Sequence, residues 1–223
     1  MRVAVLSSGG KDSAAAWWWA QCKGWDVVSL VTVNITGPDS WMFQIPGTHL
    51  VQHQATLAGV SWLSVDTAGV QDEEVKDLEK ALSTLDIDGI VSGAIRSDYQ
   101  KSRLERMSER LGIKSWTPLW HQDSLEHMRG LIDHGFEVML SSVSCEGLDA
   151  SWIGRVLNEE HLRELEALSI QFRFNVDGEG GEYETLVIGG PHLPGRLNVT
   201  GAVCWEGSRG MFEFDEVTLE PSQ

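Results

Sequence analysis

The stretch Ser7-Ser8-Gly9-Gly10-Lys11-Asp12-Ser13 combines residue types that hold an anion. It lies between an apolar run, Val3–Leu6, and a run of alanines and tryptophans that begins at Ala14. The two glycines let successive backbone N–H groups turn toward one point and form a nest. The N-terminus of a following helix adds unpaired donors and a partial positive charge. Lys11 supplies a full charge, and Ser8 and Ser13 supply hydroxyl donors. Asp12 repels phosphate, so its role is either to cap the helix or to hold a magnesium ion. The glycine and lysine are not spaced as in a G-x-x-x-x-G-K-[ST] loop. Glycine, serine and aspartate also suit an ordinary strand-to-helix turn. The placement after an apolar strand, together with the extra serines, favours a nucleotide phosphate site.

A second stretch, DGEGGEYET (Asp177–Thr185), sets four acids among three glycines. Carboxylates packed so closely repel one another unless a cation or amine offsets them. The competing reading is a solvated acidic hairpin loop leading into a strand, Thr185–Ile188. Ligand spacing and the lack of a following helix argue against an EF-hand. In GAIRSDYQ, Gly93 and Ala94 follow an apolar strand, where backbone passes close to a ligand. Tyr99, Gln100 and Arg103 occupy the next helix's first turns; Arg103 pairs either with a substrate carboxylate or phosphate or with Glu105 or Asp98. Asn34 ends the second strand and either meets adenine or ribose or is a polar turn residue. His49 and His53 stand four apart on a helix, but no third metal ligand is visible.

Strand and helix signals alternate through the first 140 residues. Strands are expected at Val3–Ser7, Val27–Val33, Trp62–Val65, Ile87–Ser92 and Ile113–Trp116. Helices are expected at Asp12–Lys23, from Thr48 to Gly59 with Leu50, Leu57 and Ala58 on the apolar face, at Asp72–Leu85, from Ser97 to Gly112, and from Asp123 to Gly135. Ser97 with Gln100, and Asp123 with Glu126, have capping-box spacing. Five strand–helix pairs predict an α/β fold, a parallel sheet with helices on both faces. Ligands of such sheets sit at the carboxyl ends of the strands, where the strand order reverses. Beyond His121 the pattern becomes α+β, with strands expected at Phe136–Ser144, Gln171–Val176, Thr185–Ile188 and Met211–Leu219, and a helix at Glu159–Leu168. The division expected is therefore residues 1–121 and a smaller domain over 122–223. Trp17, Trp18 and Trp19 stand about 100° apart on a helix, so at least one leaves the main core face.

The chain has 223 residues, 17 Lys+Arg and 33 Asp+Glu, for a net charge of −16. Such a surface disfavours nucleic acid, and no local cluster of four or more cations is evident. No apolar run is long enough to span a bilayer and no signal-peptide pattern is seen, so a soluble, cytoplasmic protein is expected. Cys22, Cys145 and Cys204 form neither a zinc pattern nor a disulfide framework.

The SSGGKDS run resembles the PP-loop of the N-type ATP pyrophosphatases, whose S-G-G-K-D-S signature accompanies cleavage of ATP between its α- and β-phosphates. Amide-forming ligases, tRNA-thiolating enzymes and tRNA lysidine synthases share that signature. Three further stretches, SWMFQIPGTHLVQHQATLAG, SGAIRSDYQKSRLERMSERLG and GEGGEYETLVIGGP, are similar to segments of the diphthine–ammonia ligase family. Gln44 stands where that family's histidine is expected. The resemblance implies a Rossmann-like (HUP-type) domain with a smaller α+β domain, and ATP and Mg2+ as cosubstrate and metal. It implies ATP contacts at Ser8, Gly9, Gly10, Lys11, Asp12, Ser13, Asn34, Gly93 and Ala94, and a metal at Asp12. Substrate contacts are implied at Tyr99, Gln100, Arg103, Gly180 and Gly181, with Lys11, Glu179, Glu182 and Glu184 catalytic and the three glutamates holding magnesium or ammonia. The implied acceptor is diphthine on translation elongation factor 2, amidated with free ammonium, since Arg2 follows the initial Met and no cysteine has a recognisable catalytic partner. A PP-loop tRNA-modifying enzyme and a non-catalytic nucleotide-binding module are the alternatives. Oligomeric state is not legible.

Overall fold

A computed structural model describes residues 1–35, 48–69 and 73–221. The chain divides into two compact units, Met1–Trp120 and His121–Gln223. Gln44, Gly37, Pro38, Pro46, Gly47 and Asp72 lie outside the described residues.

The first unit is a parallel sheet of five strands: β1 (Arg2–Leu6), β2 (Asp26–Ile35), β3 (Ser61–Thr67), β4 (Gly89–Ser92) and β5 (Lys114–Trp116), in the order β3-β2-β1-β4-β5. Apolar side chains on both faces of β1 and β4, Val3, Ala4, Val5, Ile90 and Val91, are fully buried and place these strands at the centre. β2 and β3 build outward on one side of β1, whereas β4 and β5 build on the other. The strand order therefore reverses between β1 and β4.

Right-handed crossovers put α1 (Lys11–Cys22) and α2 (Val51–Ala58) on one face, and α3 (Glu73–Leu82) and α4 (Asp98–Leu111) on the other. On that second face Val75, Leu78, Leu82, Leu104 and Met107 share a core with Ala4, Val31, Val33, Val65 and Ile90. Ser97 caps α4, its hydroxyl accepting from the Gln100 N–H at 3.3 Å. α1 rests on the sheet through Ala14, Ala15, Ala16 and Ala20, whose small side chains allow close approach. Trp17 is buried, and Trp19 meets Trp25 edge-on at 5.0 Å between ring centroids. Leu50 is buried as expected in a 3-10 turn, Thr48–Leu50, but on α2 itself Val51, Gln54 and Ala55 are buried and Leu57 and Ala58 only half-buried.

α3 and α4 also gather Lys76, Lys80, Arg103, Arg106 and Arg110 around one groove. The linear reading, which found no such cluster, is corrected here: helical spacing spreads these cations over two segments that only the sheet brings side by side.

The second unit contains α5 (Ser124–Asp133), β6 (Glu137–Val143), α6 (Glu159–Phe172), β7 (Tyr183–Gly189), β8 (Gly195–Glu206) and β9 (Arg209–Pro221). The four strands close into an antiparallel barrel. The strand expected at Gln171–Val176 does not form. α6 runs through Phe172, then Arg173 adopts a left-handed conformation and Phe174 N–H returns to the Ser169 carbonyl at 3.2 Å. β8, absent from the sequence expectations, pairs with β9 over its whole length through a two-residue Gly207-Ser208 turn. The α/β and α+β classes are those the sequence predicts.

His192 lies between β7 and β8, is 3% exposed and stacks on Phe136 at 5.2 Å. Burial lowers its pKa to about 3. As pH falls below about 6.5 the unfolded chain takes up a proton that the folded chain refuses until about pH 3, so this group removes stability across that window. Urea melts of His192→Phe between pH 7 and 5 should show a shallower acid loss of stability, by up to ~1.4 kcal/mol per pH unit. An unchanged slope would refute the assignment.

Candidate active site

At the carboxyl end of β1, Ser7 N–H continues the parallel ladder to the Val31 carbonyl at 2.9 Å, and the chain then leaves the sheet. Gly9 takes φ +83°, a conformation that disfavours any side chain. Gly10 is the N-cap of α1 and supplies no capping side chain, so the positive end of the helix is open to the loop. The loop is braced from within. The Ser7 hydroxyl accepts from Gly9 N–H at 3.2 Å, and the Ser13 hydroxyl donates to the Gly10 carbonyl at 3.0 Å. It is braced from α2 as well, where the Gln54 side-chain amide, 1% exposed, donates to the Gly9 carbonyl at 3.1 Å.

Lys11 is only 5% exposed, and its ammonium meets Asp12 Oδ2 at 2.8 Å. A buried cation is tolerated when an opposite charge accompanies it. Asp12 is thus an ion-pair partner within the first turn and not the helix cap, because the capping position precedes Lys11. A magnesium ion that keeps most of its waters and takes phosphate oxygens needs only one or two carboxylates, so the cradle fits ATP with magnesium at Asp12. Among the described residues no group of three or more His, Cys, Asp and Glu is placed to hold a metal by itself.

Gly93 stands immediately after β4 and faces the same helix end. A Cβ there would lie 2.5 Å from the Asp12 carbonyl carbon and 2.7 Å from the Ser13 nitrogen. Glycine is therefore demanded by the protein's own backbone at this point. Ala94 is half-buried beside it. Asn34, at the end of β2, is held by side chains: it donates to the Ser64 hydroxyl and to Asp66 Oδ1 at 3.3 Å, and accepts from the Thr48 hydroxyl at 3.2 Å. Farther along, the Arg103 guanidinium stacks on the Tyr99 ring at 3.4 Å, while Glu105 pairs with Lys101. Gln100 is half-buried in the same turn as Tyr99.

In the second unit the acidic stretch forms a tight loop before β7. Glu182 latches it. One carboxylate oxygen accepts from the Asn175 N–H at 2.8 Å and its side-chain amide at 3.0 Å, and the other accepts from Gly180 N–H at 2.7 Å. A Cβ at Gly180 would lie 2.5 Å from Glu182 Oε1, so a larger residue there would make the Glu182 side chain shift. The Ser144 hydroxyl donates to the Gly181 carbonyl at 2.6 Å, and the Tyr183 hydroxyl to Val176 at 2.6 Å. Asp177 is fully buried and accepts from Glu179 N–H at 3.4 Å. Glu179 is exposed on the loop and Glu184 half-buried on β7. The four acids therefore play unequal parts: Asp177 and Glu182 shape the loop, and Glu179 presents its carboxylate outward.

Burial and the neighbouring Glu182 carboxylate push the Cys145 thiol up, and a hydrogen bond to Glu213 raises Cys204. Neither is poised as a thiolate for sulfur transfer.

Two family models cover the chain, the diphthamide synthase N-terminal domain over residues 1–115 and the diphthamide synthase C-terminal domain over residues 123–219. The chain belongs to the diphthamide synthase family. A diphthine–ammonia ligase of Homo sapiens is 32% identical over 217 residues, covering 86% of this chain and 80% of the relative. One from Schizosaccharomyces pombe is 30% identical over 230 residues, covering 94% of this chain and 38% of that longer protein. A solved structure described as a "predicted subunit of tRNA methyltransferase" from Methanocaldococcus jannaschii DSM is similar at 19% identity and a TM-score of 0.47, covering 86% of this chain and 98% of that one.

Within this diphthamide synthase chain, the expected phosphate residues Ser8 to Ser13 share one turn with Gly93 alongside. Ser7 and Gln54 were missed as supports. Ser7 belongs to the same serine run, and Gln54 is a polar residue on an otherwise apolar helix side, which is the signal that betrays it.

Gly93→Ala should displace the first turn of α1, lowering ATP affinity by at least about tenfold and stability by ~1–3 kcal/mol; calorimetric titration and a urea melt would measure both. Wild-type values would show the backbone approach to be harmless. Glu182→Gln turns one acceptor into a donor facing an N–H, which should cost ~1–3 kcal/mol and raise hydrogen exchange at Gly180. Unchanged exchange there would remove the latch.

Proposed function

We propose that this protein is an ATP-dependent ligase that amidates the diphthine carboxylate of translation elongation factor 2 with ammonia, giving diphthamide, AMP and pyrophosphate. The observation that carries the reading is the phosphate turn: a helix N-terminus without a capping side chain, a buried Lys11 and a Gly9 nest at the strand-order reversal, in a chain that matches both diphthamide synthase domains.

In this reading the ATP phosphates lie on Ser8–Ser13, against the α1 N–H groups and Lys11. A carboxylate oxygen of the acceptor attacks the α-phosphorus. The bond to the β-phosphate bridging oxygen breaks, and pyrophosphate leaves with that electron pair. Lys11 neutralises charge that grows on the departing group. Asp12 would hold a magnesium ion, which would supply Lewis-acid polarisation of the phosphate oxygens. Ammonia then attacks the acyl carbon, AMP leaves with the electron pair of the broken C–O bond, and the nitrogen loses a proton. Ser7, Gln54 and Gly93 are positioning residues: they hold the turn in the shape that makes its donors converge.

The loop Gly178–Glu184 is assigned to the nitrogen step, with Glu179 and Glu184 attracting ammonium and Glu182 maintaining the loop that presents Gly180 and Gly181. Residues 1–121 are the ATP pyrophosphatase domain in this assignment, and 122–223 contribute the acidic loop to substrate binding. Asn34 and Ala94 are assigned to the nucleotide, and Tyr99, Gln100 and Arg103 to the acceptor. Among the described residues no helix is long and apolar enough to cross a membrane, and the reading places the reaction in the cytoplasm.

The test is mass spectrometry of diphthine-bearing elongation factor 2 incubated with the protein, ATP, magnesium and ammonium, with AMP and pyrophosphate assayed in parallel. Acid should convert to amide in step with AMP, and Lys11→Ala should lower turnover at least about a thousandfold while the fold persists. Folded, ATP-binding protein that converts nothing would sink the substrate assignment, and full activity in Lys11→Ala would sink the phosphate site.

A further inference from the structure

The groove between α3 and α4 encloses about 850 Å³ and is lined by Val75, Leu111 and the side chains of Lys76, Lys80, Arg103, Arg106 and Arg110, with Glu79 the one carboxylate. Five cations around one groove, in a chain of net charge −16, form a local inversion of the surface charge. Glu79 does not cancel it. The Arg110 guanidinium donates to both Glu79 oxygens, Nε to Oε1 at 3.1 Å and to Oε2 at 3.0 Å with Nη2 also on Oε2, which ties α3 to α4. That hydrogen bonding also holds the Glu79 carboxyl below the usual carboxylate range. Arg103 is fixed by its stack on Tyr99. Among the described residues Lys76, Lys80 and Arg106 have no carboxylate within ion-pair distance.

Both helices follow parallel strands and so begin at the sheet's carboxyl edge. The Lys76–Arg103 end of the groove therefore starts on the edge that carries the phosphate turn, and Ser83, Arg110 and Leu111 mark its far end. At about 1.5 Å rise per residue, Arg103 to Arg110 spans roughly 10 Å. The groove runs along helix flanks and has no glycine among its described lining residues, so it lacks the glycine-built nest that cradles a compact phosphate group. It has no aromatic lining residue on which a base would stack. A chain of net charge −16 also repels a strand that bears a charge on every nucleotide. A protein segment with a few carboxylates spaced over roughly 10 Å meets none of these objections, and its apolar side chains suit Val75 and Leu111.

We infer that the α3–α4 groove docks an acidic segment of the protein that carries the acceptor carboxylate. The inference rests on the ligase reading above. The cations steer the macromolecular substrate and hold it by its surface, whereas the phosphate turn takes ATP. Docking then contributes to substrate KM and leaves the chemical step alone.

The test is the double variant Lys80→Glu/Arg106→Glu, two exposed positions outside the residues assigned to catalysis. With diphthine-bearing elongation factor 2 as substrate, its KM should rise at least about tenfold at low salt, with kcat at saturation and the KM for ATP unchanged. Added salt should raise the wild-type KM and barely move that of the variant. An unchanged protein KM would overturn the groove while leaving the ligase reading intact. Independently of turnover, fluorescence anisotropy would compare a labelled hexaglutamate peptide with a single-stranded RNA of equal charge. Salt-sensitive peptide binding that the double variant loses supports the inference even if the substrate assignment fails. Tighter binding of the RNA, or binding of neither probe, overturns it.

Discussion

The first unit depends on one close approach, that of the chain leaving β4 to the first turn of α1. There is no room for a methyl group between Gly93 and the backbone of Asp12 and Ser13. That contact fixes where the open N-terminus of α1 points, and the nest around Gly9 and the buried ammonium of Lys11 follow from it. The small residues Ala14, Ala15, Ala16 and Ala20 serve the same end, since they let the helix settle onto β1 and β4. A buried ammonium is costly in a protein interior, and here it lies at a helix N-terminus that no side chain caps.

The second unit solves a related problem with opposite charge. Four acids within one loop would push apart, yet Glu182 is bound by three N–H groups and Asp177 is buried beneath the turn. These backbone and amide donors take the place of a metal in holding the loop closed. An even cluster of four acids read from the sequence thus becomes an uneven one: Glu182 and the buried Asp177 shape the loop, Glu179 is exposed on it and Glu184 is half-buried on β7.

Charge organises the surface in the same way. An excess of acids keeps polyanions at a distance, and the cations of α3 and α4 oppose that field around their groove. Glu79 does not neutralise the groove; it spends both oxygens clamping Arg110 and so stiffens the wall.

Local signals were sufficient wherever the cause of a structure is local. The α/β alternation, the caps at Ser97 and Asp123, and the glycine turn that opens α1 all depend on residues a few positions apart, so the sequence determined them. The acidic loop and the strand after it were legible for the same reason, although β7 starts at Tyr183, two residues earlier than expected. Tertiary structure alone decided the rest. Arg173 ends α6 in a left-handed turn where alternating aromatics suggest a strand, and β8 exists because β9 is there to pair with it. Gln54 reaches Gly9 across 45 residues, and Lys80 faces Arg106 only because two crossovers return to one face of the sheet. Such groupings are set by the order of the strands, and no pattern of neighbours along the chain encodes that order directly.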